Sequence, residues 1–200
     1  MQMPCGTQLP FPAASRPLFE TRCHLNESQH AENPVLLTAR RFRVEELRET
    51  TADGVVRTRQ IVRHNGSVAI VPVVDADHVC LIRNFRIAAG QTLIEIPAGT
   101  LEPGEDPTAA AFRELAEETG YQAETMTPLV ACYLSPGILD ERMQLFVATG
   151  LTLGPAAREP GEQIENLVTT WADALQQIRQ GAIQDAKTIV GLLTYLLTRG

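Results

Sequence analysis

Glu114, Glu117 and Glu118 put three carboxylates within five residues of the stretch GTLEPGEDPTAAAFRELAEETG, which runs from Gly99 to Gly120. At helical spacing Glu114 and Glu118 are four apart and Glu117 is three from Glu114, so the acids converge on one side. Such clustering costs repulsion, which a solvated helix face normally relieves by alternating charge. A divalent cation would remove that cost. Oxygen donors with no His or Cys nearby suit a hard ion, Mg²⁺ or Mn²⁺. Taken alone, the run reads more readily as a solvated acidic face; the rest of the stretch decides between the two.

A helix must carry these acids, and its ends are written in the chain. Asp106 can accept a bond from an orphan N–H, and Pro107 at the first helical position has no donor to waste, so the helix is expected to begin near Pro107. Gly120 is placed to end it in a left-handed cap. Phe112, Leu115 and Ala116, with Ala109 nearby in projection, form the apolar stripe expected to hold it on a sheet.

Around this helix the chain alternates strand and helix patterns. From Val35 to about Arg63 the pattern is of strands, with Asp53-Gly54 as a hairpin turn. Ser67 to Pro72, Val79 to Phe85 and Leu93 to Ile96 follow as strands, the last feeding directly into the acidic stretch. Beyond it, Leu129 to Leu134 and Gln144 to Thr149 read as strands, and a Gly/Pro-containing loop spans Gly150 to Gln163. Thr170 to Gln180 and Ala186 to Thr198 have helical spacing. Residues 1–34, rich in Pro, Gln, Ser and His, are expected to be a mobile tail. The mixture predicts an α/β fold, a mixed central sheet covered by helices as an α/β/α sandwich.

A chain of 200 residues that is 44% hydrophobic can bury such a core. Its net charge of −7 argues against a nucleic-acid surface, because phosphate neutralisation needs a basic stripe. Cys5, Cys23, Cys80 and Cys132 form neither a C-x-x-C pair nor a zinc set and are expected to be reduced, Cys80 and Cys132 as core filler. No cationic start precedes a long apolar run, and Ile189 to Leu197 is too short to span a bilayer. A cytoplasmic protein with no membrane partner is expected.

Gly99, Glu105, Arg113, Glu114, Glu117, Glu118 and Gly120 fall in one frame of the pattern G-x5-E-x7-R-E-U-x-E-E-x-G-U, and this resembles the box of the Nudix hydrolases. A chance fit in a chain this long is on the order of one in a million. The closing aliphatic position is Tyr121 here, which still offers apolar surface. The resemblance implies hydrolysis of a diphosphate with the help of Mg²⁺ or Mn²⁺. Glu114 and Glu118 would be the main ligands, Glu117 shared or activating, Arg113 an orienting partner and Glu105 structural.

Ser135-Pro136-Gly137, about fifteen residues past the box, is similar to the downstream proline signature of ADP-ribose pyrophosphatases and related nucleoside-diphosphate-sugar hydrolases. HNGSVAIVPV, LIRNFRIAAG, LIEIPAGTLEPGED and GAIQDAKTIVGL resemble the same subfamily, although its usual Gln is Asn84 here. By position the likeness makes Arg59 and Arg86, and more weakly Arg63, holders of the substrate phosphates, and lets Phe42 touch the base. Surface solubility competes as the reading of Arg59 and Arg63. Ser135, Gly137, Glu95 and Glu141 match positions near substrate, though each of the two acids could simply pair with an arginine. The backbone carbonyl of Ala98 resembles the family's further metal ligand.

The resemblance also implies that residues 35–66 form an N-terminal β-strand segment for homodimerisation and that 67–200 form the Nudix domain. An acidic loop before a strand supplies a catalytic or metal-binding glutamate in such enzymes, and Glu162 matches best, with Glu159 the alternative and Glu117 next. The expected activity is cleavage of ADP-ribose to AMP and ribose 5-phosphate. Another nucleoside-diphosphate sugar such as GDP-mannose, or a non-catalytic nucleotide-binding role, are the competing functions.

Overall fold

The computed structural model describes residues 33–155 and 163–199. The tail expected to be mobile lies almost wholly outside the described residues, as do Cys5, Cys23, Glu159 and Glu162. Strands β1 (Val35–Thr38), β2 (Phe42–Thr50) and β3 (Val56–His64) form an antiparallel sheet of their own. Asp53-Gly54 sits in the turn between β2 and β3, where the Thr51 N–H donates to the Val55 carbonyl at 2.9 Å.

The acidic helix belongs to the next part of the chain. Strands β4 (Ser67–Pro72), β5 (His78–Arg86), β6 (Gln91–Glu95) and β7 (Ala98–Thr100) lead into helix α1 (Pro107–Thr119). Strands β8 (Tyr121–Gln122), β9 (Thr125–Tyr133), β10 (Arg142–Thr149), β11 (Thr152–Leu153) and β12 (Ile164–Thr170) follow, then helices α2 (Trp171–Arg179) and α3 (Ala186–Thr198). One sheet has the order β7-β4-β10-β9 and a second the order β12-β5-β6. Only β4 and β10 run parallel within them, so the first sheet is mixed.

Every residue of β4 is buried because helices cover both faces of its sheet, which is why Val68 to Pro72 read as an unbroken apolar run rather than an alternating one. Val68 and Ile70 join Phe146, Ala148 and the α1 residues Ala110, Ala111 and Leu115 in one cluster. Their neighbours Ala69 and Val71 join Met143, Leu145, Trp171, Ala174 and Leu192 in the other. The expected α/β/α sandwich is therefore present, with α1 on one face and α2 and α3 on the other.

The stripe of α1 differs from the one expected. Ala110, Ala111 and Leu115 are buried, whereas Ala109 is exposed and Phe112 is 38% exposed. Two alanines at the contact let the helix lie close to β4, and the bulk of Phe112, one position on, is turned away. The ends are as read from the chain: Asp106 Oδ1 accepts the Ala109 N–H at 2.9 Å, and Gly120 closes the helix at φ 78°. Tyr121 packs against the α1 cluster, so an aromatic ring serves at the position where an aliphatic side chain is usual.

Cys80 and Cys132 are both free. Burial pushes the Cys80 thiol up to about 12, which makes it packing material and not a nucleophile. Among the described residues no helix is long and apolar enough to cross a membrane.

Candidate active site

Arg113 organises the acids of α1. Its Nε and Nη2 donate to the two oxygens of Glu105 at 3.0 and 3.1 Å, while Nη1 donates to Glu114 Oε1 at 2.8 Å and Glu117 Oε2 at 3.0 Å. A planar guanidinium is suited to this because its donors diverge in a fixed fork. Glu105 is itself anchored by the Glu102 N–H at 2.9 Å, and its bonds to Arg113 hold its carboxyl below the ordinary glutamate range. Its part is to aim Arg113.

Strand β7 meets the same acids with its backbone. The Ala98 N–H donates to Glu118 Oε2 at 3.0 Å, and Glu118 is buried. The Glu114 carboxylate lies against Gly99 so closely that a Cβ there would stand 1.9 Å from its Cδ. A carboxylate thus fills the place of a side chain at Gly99, and any larger residue there would have to displace Glu114 from it. Burial pushes the Glu114 carboxyl up, Arg113 opposes this, and the nearby Glu117 and Glu105 charges add to the rise. A cation beside Glu114 would relieve both desolvation and repulsion.

No three His, Cys, Asp or Glu side chains among the described residues converge into a metal cage. That arrangement still fits a divalent cation such as Mg²⁺, which is normally held by one or two carboxylates together with substrate phosphates rather than by an all-protein cage. Glu114 and Glu118 supply oxygen donors of the right kind, and Ala98 is held beside them by its N–H bond to Glu118.

These groups open on a cavity of about 580 Å³. Its wall brings together Ala98, Gly99, Arg113, Glu114, Glu117 and Glu118 with Arg86 and Glu141. Glu141 accepts the Ser67 hydroxyl at 2.7 Å. Glu95 does not line the cavity: it is fully buried behind Arg86, which grips it with two bonds of 2.8 and 2.7 Å. Of the two pairings open for the acids, Glu95 takes the arginine.

The other expected substrate residues lie elsewhere in the chain. Arg63 is spent on Glu45 at 2.9 Å and Asp140 at 3.0 Å, and it borders a separate cavity of about 290 Å³ with Ile61, Tyr133 and the turn at Pro136 to Asp140. Arg59 is exposed on β3 and pairs with Glu49 at 3.3 Å. Phe42 stands 40% exposed at the start of β2. The Ser135 carbonyl accepts the Ile138 and Leu139 N–H groups at 3.1 and 2.9 Å, which makes Ser135 to Gly137 a tight turn beyond the wall of the large cavity.

Among the cavity residues, Arg40, Arg41, Asn65 and Lys187 were not singled out individually by the pattern of the chain. Arg40 and Arg41 lie in the turn from β1 to β2, closed by the Ala39 N–H on the Phe42 carbonyl at 2.9 Å. That turn contains no Gly, Pro, Asn or Asp, so it reads as continuous strand. Lys187 did leave a trace, as a lone charge in the first turn of the otherwise apolar helix AKTIVGLLTYLLT.

Residues 63–190 match the NUDIX domain family model. The chain belongs to the Nudix family of hydrolases, enzymes that cut diphosphate bonds and generally need a divalent cation. It is 41% identical over 138 residues to the ADP-ribose pyrophosphatase of Bacillus subtilis (strain 168), covering 68% of this chain and 75% of that one. It is 38% identical over 142 residues to the methanol dehydrogenase activator of Bacillus methanolicus, covering 70% and 77%. To the GDP-mannose pyrophosphatase of Cronobacter sakazakii (strain ATCC BAA-894) it is 34% identical over 171 residues, covering 77% and 88%. Among solved structures, that of an ADP compounds hydrolase superposes with a TM-score of 0.76 at 26% identity, covering 85% of this chain and 94% of the other.

Proposed function

We propose that this chain hydrolyses the diphosphate of ADP-ribose to AMP and ribose 5-phosphate, with Mg²⁺ as its cation and Mn²⁺ as a substitute. The observation that carries the reading is one cavity wall that brings the carboxylates of α1 together with basic side chains, Arg86 and Lys187 among them. A diphosphate resists water because its oxygens are anionic, so a site for it must both neutralise those oxygens and present an ionised water. Charge neutralisation and a lowered water pKa are what a divalent cation supplies when bound. Glu114, Glu118 and the Ala98 carbonyl would hold it, with Glu117 shared. Arg113 keeps the carboxylates aimed and charged, Arg86 orients the phosphates, and Glu162 or Glu159 takes the proton from water.

A panel of nucleoside-diphosphate sugars, assayed with and without Mg²⁺, tests this. ADP-ribose is expected to give the highest kcat/KM, with no turnover in EDTA. A higher kcat/KM for GDP-mannose would favour the second reading, supported by relatives of that name. Metal-independent binding with no turnover of any member would favour a regulatory role; the complete set of box glutamates speaks against it.

The protein is further proposed to be a cytoplasmic homodimer. The free Cys80 and Cys132 suit a reducing compartment. Val35, Leu36 and Leu37 are each 53% exposed and Val56 is 61% exposed, so the β1–β3 sheet presents apolar side chains that a second subunit would cover. Phe42 and Arg59, on the same sheet and away from this subunit's cavity, would then reach the partner's substrate. Light scattering at assay concentration is expected to give the mass of two chains; a fully active monomer would reject the dimer.

A further inference from the structure

Glu95 ends β6 with a carboxylate that is wholly excluded from solvent. Both of its oxygens are claimed by cations from other elements. Arg86, at the end of β5, donates from Nε and Nη2 at 2.8 and 2.7 Å. Lys187, in the first turn of α3, donates to Glu95 Oε2 as well, and its Nζ stands 3.0 Å from Asp185 Oδ2. Burial pushes the Glu95 carboxyl up, yet Arg86 and Lys187 together outweigh it and keep the group below the ordinary range, hence charged.

Both cations line the large cavity, and the acid that joins them does not. The first turn of α3 has further anchors beside the Lys187–Glu95 pair. Asp185 caps it by accepting the Thr188 N–H at 3.0 Å, and Thr188 Oγ1 accepts the N–H of Ile96, the residue after Glu95, at 2.8 Å. Arg86 therefore reaches the cavity from one sheet and Lys187 from the helix covering it, with one buried carboxylate fixing the gap between them. A guanidinium has five N–H donors and an ammonium three, so each has capacity beyond these bonds. Cations set in advance on a rigid frame stabilise charge without having to be ordered when ligand arrives.

We infer that Glu95 is a positioning residue that sets Arg86 and Lys187 as a paired cationic grip for the substrate diphosphate, which makes Lys187 a binding residue supplied by the C-terminal helix. The inference rests on a diphosphate occupying this cavity, and its test separates the two.

Affinity of the full chain for ADP-ribose and for inorganic pyrophosphate is measured by titration calorimetry in EDTA, with thermal unfolding of every variant as a check on folding. Arg86→Gln, Lys187→Met and Glu95→Gln are each expected to weaken both ligands by about tenfold, the value of one charge-assisted hydrogen bond. In steady-state assays KM rises more than kcat falls, and Lys187→Arg recovers part of the loss. Glu95→Gln added to the Arg86→Gln, Lys187→Met double variant is expected to cost nothing further, because it acts through those two side chains. Wild-type affinity in folded Lys187→Met, or an undiminished effect of Glu95→Gln in the double background, would overturn the proposal. Should Glu95→Gln fail to fold, the Lys187 variants alone decide. Pyrophosphate affinities that follow this pattern in a protein that does not cleave ADP-ribose would remove the substrate reading and leave the grip standing; a wild-type chain that binds neither ligand would remove the grip.

Discussion

Glu114→Gln and Glu118→Gln are each expected to lower kcat by on the order of 10³-fold at saturating Mg²⁺, equivalent to about 4 kcal/mol of transition-state stabilisation. The substitution keeps shape and removes a charge. Glu118 is buried with the Ala98 N–H on one oxygen at 3.0 Å, and an amide oxygen can still accept that bond. Glu114 lies in the space above Gly99 and takes a 2.8 Å bond from Arg113, which a glutamine oxygen can also accept. Folding is therefore expected to survive in both variants, and a thermal melt near that of the parent would show it. What neither variant retains is an anionic oxygen for a hard cation. The two should also need more Mg²⁺ for half-maximal rate, which a merely misplaced helix would not explain. Near-normal turnover of either at saturating cation would remove that residue from the ligand set.

How much of this was legible beforehand depended on whether a feature is encoded locally. The bounds of α1 were readable because Asp106, Pro107 and Gly120 act on the backbone within a few bonds of themselves. The acids were readable for the same reason, their spacing alone putting them on one side. Which face of α1 meets β4 was not, because Ala110 and Ala111 carry little hydrophobic signal and Phe112 carries much; close approach decided the contact, and it is a property of two elements together. The three-residue strand β7 escaped notice for a related reason, since Ala98-Gly99-Thr100 has no strand pattern and is held by pairing with β4. Glu95 shows the limit most directly. Its position could be matched to a site, but its second partner, Lys187, lies 92 residues away in the chain, where no local pattern reaches.

Glu162→Gln is expected to lower kcat by about 10²-fold or more with little change in KM, the pattern of a lost proton acceptor or metal-positioning group. The box glutamates are poor choices for the base because each already has a task. Arg113 Nη1 binds Glu114 and Glu117 together, and Glu118 is fixed to the backbone of Ala98. A base must accept a proton and give it up again, which favours a carboxylate not locked to an arginine. Glu159 and Glu162 lie outside the described residues. Ile164 opens β12 and pairs with Asn84, two residues before the cavity arginine Arg86. Single-turnover rates across pH would separate the candidates, because loss of the base removes the basic rise in rate whereas loss of a ligand shifts the Mg²⁺ requirement. If Glu159→Gln abolishes turnover and Glu162→Gln does not, the two exchange roles. If both keep the parent kcat, the base lies in the box, and Glu117, the most exposed of its three cavity acids, is the residue to replace next.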